Sequence, residues 1–359
     1  MKRILAYLRR HPLSILLLAF PLALFAKLGG WGSGWVFAFS AVGVIPMAGY
    51  IGEATEAMAE LTGPKIGGLL NATLGNAAEL IITLVAIRAG LLELVKASIT
   101  GSILGNLLLV LGTAMLLGGI KNGSQRFDKR QASNHAILLT LAVLALVIPS
   151  VFSSSIGPAK SLGVEQLSLG VAVVMIVLYG LGLLFSLKQP DSPLTYPAVE
   201  RRKGRRRTIW QAISMLAVAT LGVVILSEWL VGSVESVVSN SGLSEFFLGI
   251  ILIPIVGNVA EHLVAVQVAV KNKMDLSVEI ALSSSLQIAL FVAPLLVFIS
   301  LVIGNPLTLV FNSFELLALV GGVITVALVS ADGESNWLEG SALIGVYLIL
   351  GIAFFLMPG

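Results

Sequence analysis

Two acidic residues stand inside long apolar stretches of this chain. Glu79 and Glu261 each end the same short pattern, GNAAE at residues 75–79 and GNVAE at residues 257–261. A carboxylate at the centre of a bilayer costs roughly 2.5–3.5 kcal/mol on insertion scales. Arg88 and Lys271 lie at the ends of these stretches, and no Lys or Arg lies inside them. A bound cation or a bound proton is therefore the remaining way to neutralise the two acids.

The residues just before each acid could complete an ion site. Gly75 and Gly257 permit a helix break or a close backbone approach, and a break would turn carbonyl oxygens toward the acids. Asn76 and Asn258 stand three residues before each Glu, on the same helix face, and add amide oxygens. An all-oxygen ligand set suits Ca²⁺, whereas softer metals prefer Cys and His. The chain has no Cys and only three His.

Further polar residues occur on neighbouring apolar stretches, and each has two interpretations. Serines, amides and one histidine could line the ion site or serve as hydrogen-bonding contacts between helices. His262 directly follows Glu261 and could relay protons or simply bond to a neighbouring helix. An outer acidic pair could belong to the proton or ion path. In full, the proposed path residues are Glu53, Glu228, His262, Ser102, Ser284, Asn106 and Gln287.

The composition predicts an all-α integral membrane protein. Hydrophobic residues make up 57% of the 359 positions and charged residues only 11%, too few to cover a water-soluble globule. Long apolar spans in lipid must satisfy their own backbone hydrogen bonds, so they are helices. We count eleven spans of membrane length: 12–28, 31–51, 67–88, 91–118, 133–153, 166–187, 210–231, 243–270, 277–303, 308–330 and 337–357.

The basic residues predict the orientation. With the N-terminus in the cytoplasm, 18 of the 22 Lys and Arg fall in cytoplasmic loops, as the positive-inside rule requires. The location that follows is the cell (inner) membrane. The run 201–207 is interpreted as a topology signal that contacts lipid headgroups rather than nucleic acid, because no aromatic residues interleave with its charges.

The chain contains an internal repeat. Residues 67–108 align without gaps on residues 249–290, a shift of 182, with ten of 42 positions identical. The identities concentrate on the rare polar residues. We therefore divide the chain into an N-terminal helix (1–30), a first five-helix repeat (31–187), a basic linker (188–209) and a second five-helix repeat (210–359). Five crossings per repeat insert the second copy upside down, as in many transporters.

These blocks resemble the paired signature motifs of the cation/proton exchangers (CAX family), within the Ca²⁺/cation antiporter superfamily. The similarity covers residues 71–80 and 254–262, extends to GSILGN at 101–106 and SSLQ at 284–287, and includes the eleven-span plan. The resemblance implies that Glu79 and Glu261 bind Ca²⁺ and protons in turn. It also implies that the Asn, Ser and Gln positions line the cavities. The linker differs, since many members carry an acidic helix there.

The functional prediction is a secondary active antiporter that exchanges cytoplasmic Ca²⁺ for external protons by alternating access. Its partners are the transported ions and the lipid bilayer, without a resident cofactor, and a homo-oligomer is left open. The alternative is a monovalent (Na⁺ or K⁺) cation/proton antiporter on the same scaffold. An enzyme is not expected, because a Gly-x-Ser-x-Gly motif is missing and no Asp lies inside any predicted span.

Overall fold

The computed structural model describes residues 12–62, 64–158, 161–188 and 208–357, and this part of the chain is almost entirely helical. Eight helical stretches within it are long and apolar enough to cross a membrane, and shorter apolar helices cover Leu13–Leu28 and Ser313–Val329. After a 3₁₀ turn at Pro12–Leu18, the helices are α1 (Ala19–Leu28), α2 (Ser33–Thr62), α3 (Pro64–Leu74), α4 (Ala77–Arg88), α5 (Leu92–Leu104), α6 (Leu111–Asn122), α7 (Lys129–Ile156), α8 (Leu162–Lys188), α9 (Ile209–Val231), α10 (Val234–Ser241), α11 (Glu245–Phe247), α12 (Ile253–Val270), α13 (Met274–Gln287), α14 (Ala293–Ile303), α15 (Ser313–Val329) and α16 (Trp337–Phe355).

The all-α membrane architecture predicted from the sequence is confirmed, with differences in detail. The second span continues to Thr62, well beyond its predicted end near residue 51, so Glu53 lies inside α2. The third span is in two pieces, α3 and α4, separated at Gly75 and Asn76. Most of the predicted basic linker, 188–209, lies outside the described residues.

Three long spans contain a π-helical segment. Gly105–Val110 joins α5 to α6, Leu248–Leu252 joins α11 to α12, and Ile288–Val292 joins α13 to α14. The first and third occupy positions 182 residues apart, in register with the sequence repeat. A π segment rotates the residues that follow it relative to those that precede it, so it re-aims side chains within a continuous span.

Contacts between loops define two ends of the helix bundle. At one end, strands β1 (Gln125–Arg126) and β2 (Glu334–Ser335) pair antiparallel, and the Gln125 amide donates to Ala269 O at 2.9 Å. We call this the basic end, because its loops hold Lys121, Arg126, Lys129, Arg130, Lys271 and Lys273. At the opposite end, Leu94 N donates to Glu245 Oε1 at 3.1 Å and Asn305 Nδ2 donates to Ile87 O at 2.9 Å.

Glycines allow the central helices to approach closely. A β-carbon on Gly249 would lie 2.9 Å from Leu94 O, and one on Gly101 would overlap the carbonyl oxygen of Ile250. Backbone therefore packs directly on backbone between α5 and the span that begins with α11. The peripheral helices α7, α8 and α9 instead present many exposed Leu, Val and Ile side chains, as lipid-facing helices do.

Replacing Gly101 by Ala tests this close approach. The added methyl group forces α5 away from Ile250, so we expect a loss of about 1–3 kcal/mol of stability and a lower thermal unfolding temperature in detergent. Gly105→Ala is the matched control, since a β-carbon there meets nothing within 4 Å and the helical φ of −59° suits alanine. Equal unfolding temperatures for the two variants would contradict the packing described here.

Candidate ion-binding site

The break between α3 and α4 places Glu79 at a helix start. The chain leaves the helical pattern at Gly75 and Asn76, and α4 begins at Ala77 with Glu79 in its first turn. The equivalent break predicted at Gly257 is not observed, because α12 runs unbroken from Ile253 to Val270. The two acids therefore stand in different backbone settings, although their sequence motifs match.

Each acid faces the glycine of the other half. A β-carbon on Gly257 would lie 3.1 Å from Glu79 Cγ, and one on Gly75 would lie 3.6 Å from Glu261 Oε1. Side chains larger than hydrogen at these glycines would fill the space into which the carboxylates point. The close approach that the sequence predicts at Gly75 and Gly257 is thus present in both halves, and it brings the two halves together at one point.

A hydrogen-bonded cluster surrounds Glu261. Ser284 Oγ donates to Glu261 Oε2 at 2.9 Å and also lies 3.4 Å from Asn76 Oδ1. The Asn76 amide donates to Gln287 Oε1 at 2.7 Å. Asn76, Ser284 and Gln287 are buried, and Glu261 is partly exposed. Three of the residues predicted from sequence, Asn76, Ser284 and Gln287, therefore gather around the Glu261 carboxylate.

The repeat-related contact occurs on the other side of the site. Asn258 Nδ2 lies 3.4 Å from Ser102 Oγ, as its counterpart Asn76 lies near Ser284, and it donates to Pro254 O at 3.1 Å. The Asn258 side chain also lies near the Glu79 carboxylate, without a direct hydrogen bond to its Oε1. Exchange of the two halves thus maps one Asn–Ser contact onto the other.

His262 and Asn106 form a contact that has no such counterpart. His262 Nε2 is 3.2 Å from Asn106 Oδ1. The positions related to them by the repeat are Leu80 and Ile288, both apolar. The hydrogen bond to a neighbouring span, one of the two roles predicted for His262, is present, and the proton-relay role stays a prediction.

The site holds negative charge and unsatisfied polar atoms. Glu79 is 3% exposed, its Oε1 has no hydrogen-bond partner, and the amide nitrogen of Asn106 is likewise buried without one. Glu79 and Glu261 are close enough for their charges to repel, and no Lys or Arg in the described ranges forms an ion pair with either. Two facing carboxylates with amide and hydroxyl oxygens can bind one hard divalent cation or take up protons.

The outer acidic pair is placed apart on two long helices. Glu53 lies partly buried in α2, and Glu228 is exposed near the end of α9. The positions of Glu53 and Glu228 do not test whether ions pass beside these two side chains. Their role in the proton or ion path therefore stays a prediction.

Two further buried acids were not assigned to any site by the sequence analysis. Glu315 is 1% exposed, accepts from Asn312 N at 2.9 Å and from Thr100 Oγ1 at 3.2 Å, and completes a helix N-cap that the Asn312-x-x-Glu315 spacing could have indicated. Glu279 lies on α13 near the basic end and is 8% exposed. The internal repeat aligns Glu279 with Ala97, and an acid opposite an alanine is the sequence feature that could have indicated this residue.

Comparisons with known proteins agree with this arrangement. The family model described as sodium/calcium exchanger protein matches residues 32–188 and 211–356. A Ca²⁺/H⁺ antiporter from Aphanothece halophytica is 44% identical over 357 residues, 96% of each chain. The Ca²⁺/H⁺ antiporter ChaA from Bacillus subtilis (strain 168) is also 44% identical, over 94% of this chain and 96% of that one.

Solved structures share the fold. Native YfkE is 42% identical and superposes with a TM-score of 0.84 over 96% of this chain and 100% of that chain. The H⁺/Ca²⁺ exchanger CAX, at 14% identity and a TM-score of 0.73 over 96% of this chain and 92% of that one, supports the fold alone. The named relatives are transporters rather than enzymes. With both long segments matched by one family model, the chain belongs to the sodium/calcium exchanger protein family.

Proposed function

We propose that this protein is a secondary active antiporter that exchanges cytoplasmic Ca²⁺ for external protons, and that Glu79 and Glu261 bind the two kinds of ion in competition. One observation carries the proposal: a carboxylate from each half points at the other half with no basic side chain between them. The names of the relatives from Aphanothece halophytica and Bacillus subtilis support the choice of ions.

The ligand types favour Ca²⁺ over transition metals. Ca²⁺ takes 6–8 oxygen ligands in flexible geometry, and the groups around the site are carboxylate, amide and hydroxyl oxygens. No group of three or more His, Cys, Asp or Glu that could hold a metal ion occurs in the described ranges. A site with two carboxylates and weaker neutral ligands suits a transported ion, because the ion must leave as readily as it binds.

Competition between the ions provides the coupling. An empty, doubly charged site is too costly in a low-dielectric interior to be carried across the membrane. Either Ca²⁺ or protons must therefore occupy the carboxylates whenever access changes sides. Coupling of Ca²⁺ movement to proton movement follows from this requirement.

The orientation follows from the distribution of charge. The loops of the basic end carry Lys and Arg from two separate connections, near residues 121–130 and 271–273, and the opposite end carries few. By the positive-inside rule the basic end faces the cytoplasm. By the same rule, the N-terminus lies in the cytoplasm. The membrane that contains the protein is then the cell (inner) membrane.

Removing either charge should abolish exchange. In liposomes containing the purified protein, an imposed pH gradient should drive Ca²⁺ uptake, and Glu79→Gln or Glu261→Gln should reduce uptake to the level of empty liposomes, because one carboxylate cannot neutralise a divalent ion. Glu235→Gln, at an exposed position on α10, is the control and should transport normally. Uptake that survives either site substitution would refute the proposal.

Ion selectivity separates this proposal from the monovalent alternative. Proton release from acid-loaded proteoliposomes, followed with a trapped pH dye, should respond to Ca²⁺ outside and not to Na⁺ or K⁺ at equal ionic strength. The two carboxylates match the charge of one divalent ion, whereas a single monovalent ion leaves one charge uncompensated. A response to Na⁺ or K⁺ alone would establish the alternative.

Ser284 and Ser285 provide a matched pair for the hydrogen-bond cluster. Both are buried, but only Ser284 donates to Glu261, while Ser285 donates to Ala281 O at 3.0 Å within its own helix. Ser284→Ala should change the Ca²⁺ concentration for half-maximal uptake by roughly tenfold, since a hydrogen bond to a charged group contributes about 1.5–3 kcal/mol. Ser285→Ala should leave that concentration unchanged. Equal effects would show that Ser284 acts only in packing.

A further inference from the structure

The end of the bundle opposite the basic end is closed by helix packing. There α5 packs on the π segment Leu248–Leu252, with Gly249 against Leu94 and Gly101 against Ile250. Leu94 and Ala97 are both fully buried by this contact. We call this contact the closed gate. It leaves no room for another side chain between the two helices at that end.

The repeat-related contact at the basic end is not made. A shift of 182 maps the closed gate onto α3 and α13, pairing Gly67 with Leu276 and Glu279. In this structure Gly67 instead faces α2, where a β-carbon would lie 2.8 Å from Ala59 Cβ. Leu276 is partly exposed, unlike its buried counterpart Leu94. Among the described residues, the basic end therefore lacks the glycine contact that packs the opposite end shut.

The helix break accompanies this asymmetry. α3 is separated from α4 at Gly75 and Asn76, while its counterpart passes unbroken through Gly257 and Asn258. The helix that lacks the gate contact, α3, is thus the one connected to its continuation, α4, through non-helical residues. Gly75 and Asn76 are the natural hinge for a movement of α3 relative to α4, since a broken helix can bend there without losing further hydrogen bonds.

We propose that the basic end closes when α3 swings from α2 onto α13, so that Gly67 packs on Leu276 as Gly249 packs on Leu94, and that Glu279 controls this closure. Glu279 occupies the position that Ala97 holds in the closed gate. Closure at the basic end therefore covers a carboxylate, whereas closure at the opposite end covers a methyl group. A neutral Glu279, paired with a cation or a proton, allows α3 to dock.

The surroundings of Glu279 make its charge costly. Asp275 on the same helix and the Gln131 side chain of α7 line the same pocket as Glu279, and the charge of Asp275 opposes a charge on Glu279. Asp128 and His135, also on α7, line the same small pocket. His135 Nδ1 lies 3.0 Å from Gln131 O and its Nε2 lies 3.1 Å from Ser283 Oγ. The acidic groups outnumber the one imidazole, so covering this pocket with α3 raises the free energy of a charged Glu279.

Single thiols report each gate, because the chain has no native Cys. A thiol from Leu276→Cys should react with a membrane-impermeant maleimide from the basic end when that end is open. A thiol from Leu94→Cys should react from the opposite end when the closed gate opens. Labelling is measured in proteoliposomes at fixed pH without Ca²⁺, with each thiol in an otherwise unchanged chain.

Glu279→Ala introduces the residue that the closed gate has at the equivalent position, Ala97. In this variant, docking of α3 no longer buries a charge, so the basic end should close more often. Labelling at position 276 should therefore slow about tenfold, and labelling at position 94 should become faster. Glu279→Gln should act in the same direction and covers the case in which the alanine variant fails to fold. Asp332→Ala, an exposed acid in a loop at the basic end, is the control and should change neither rate.

Unchanged labelling at both positions in folded Glu279→Ala and Glu279→Gln protein, or changes in the same direction at both, would overturn the proposal. The inference rests on the proposed alternating access but not on the identity of the ion, since the labelling requires no transport. If Ca²⁺ exchange failed while labelling responded as expected, the proposed ions would be wrong and the gate would stand.

Discussion

The structure depends on two carboxylates that the membrane interior accepts only when positive charge joins them. Glu79 and Glu261 come from different halves of the chain and converge on one point, where each points at a glycine of the other half. The Ser284 hydroxyl that donates to Glu261 and the Asn258 side chain near Glu79 are neutral and cannot compensate two charges. The requirement for a cation or protons is therefore fixed by the site itself, and the surrounding helices serve to hold the two acids together.

That convergence requires backbone geometry that regular helices do not provide. Polar side chains reach the site from α5 and α13 just before their π segments, and α4 starts at the site after the break at Gly75 and Asn76. Glycine at the contact points removes the side chains that would otherwise separate the spans. Backbone irregularity and polar chemistry thus coincide just before Glu79, whereas the helix around Glu261 is regular.

The sequence was sufficient to predict the membrane fold and the polar residues that meet at the site, because charged and amide groups are conspicuous in apolar spans and the repeat pairs them. It could not predict that only one of two matching GN motifs breaks its helix. That difference arises from tertiary packing, since α3 docks on α2 while the π segment before α12 docks on α5. The burial of Glu279 could not be predicted from the sequence for a related reason, because it results from the packing of α7 against α13.

Differences between the halves determine how the two sides of the membrane are distinguished. Two identical inverted repeats would form gates of equal free energy, and neither side would be preferred. Here Glu279 replaces Ala97 at one gate, and the His262–Asn106 contact replaces the pair Leu80 and Ile288 beside the site. Each replacement adds a polar or ionisable group on one side only. With the proposed gates, the free energy of each access state would respond to charge at the basic end and not symmetrically at both ends, as expected of a protein that works between compartments of different ion content.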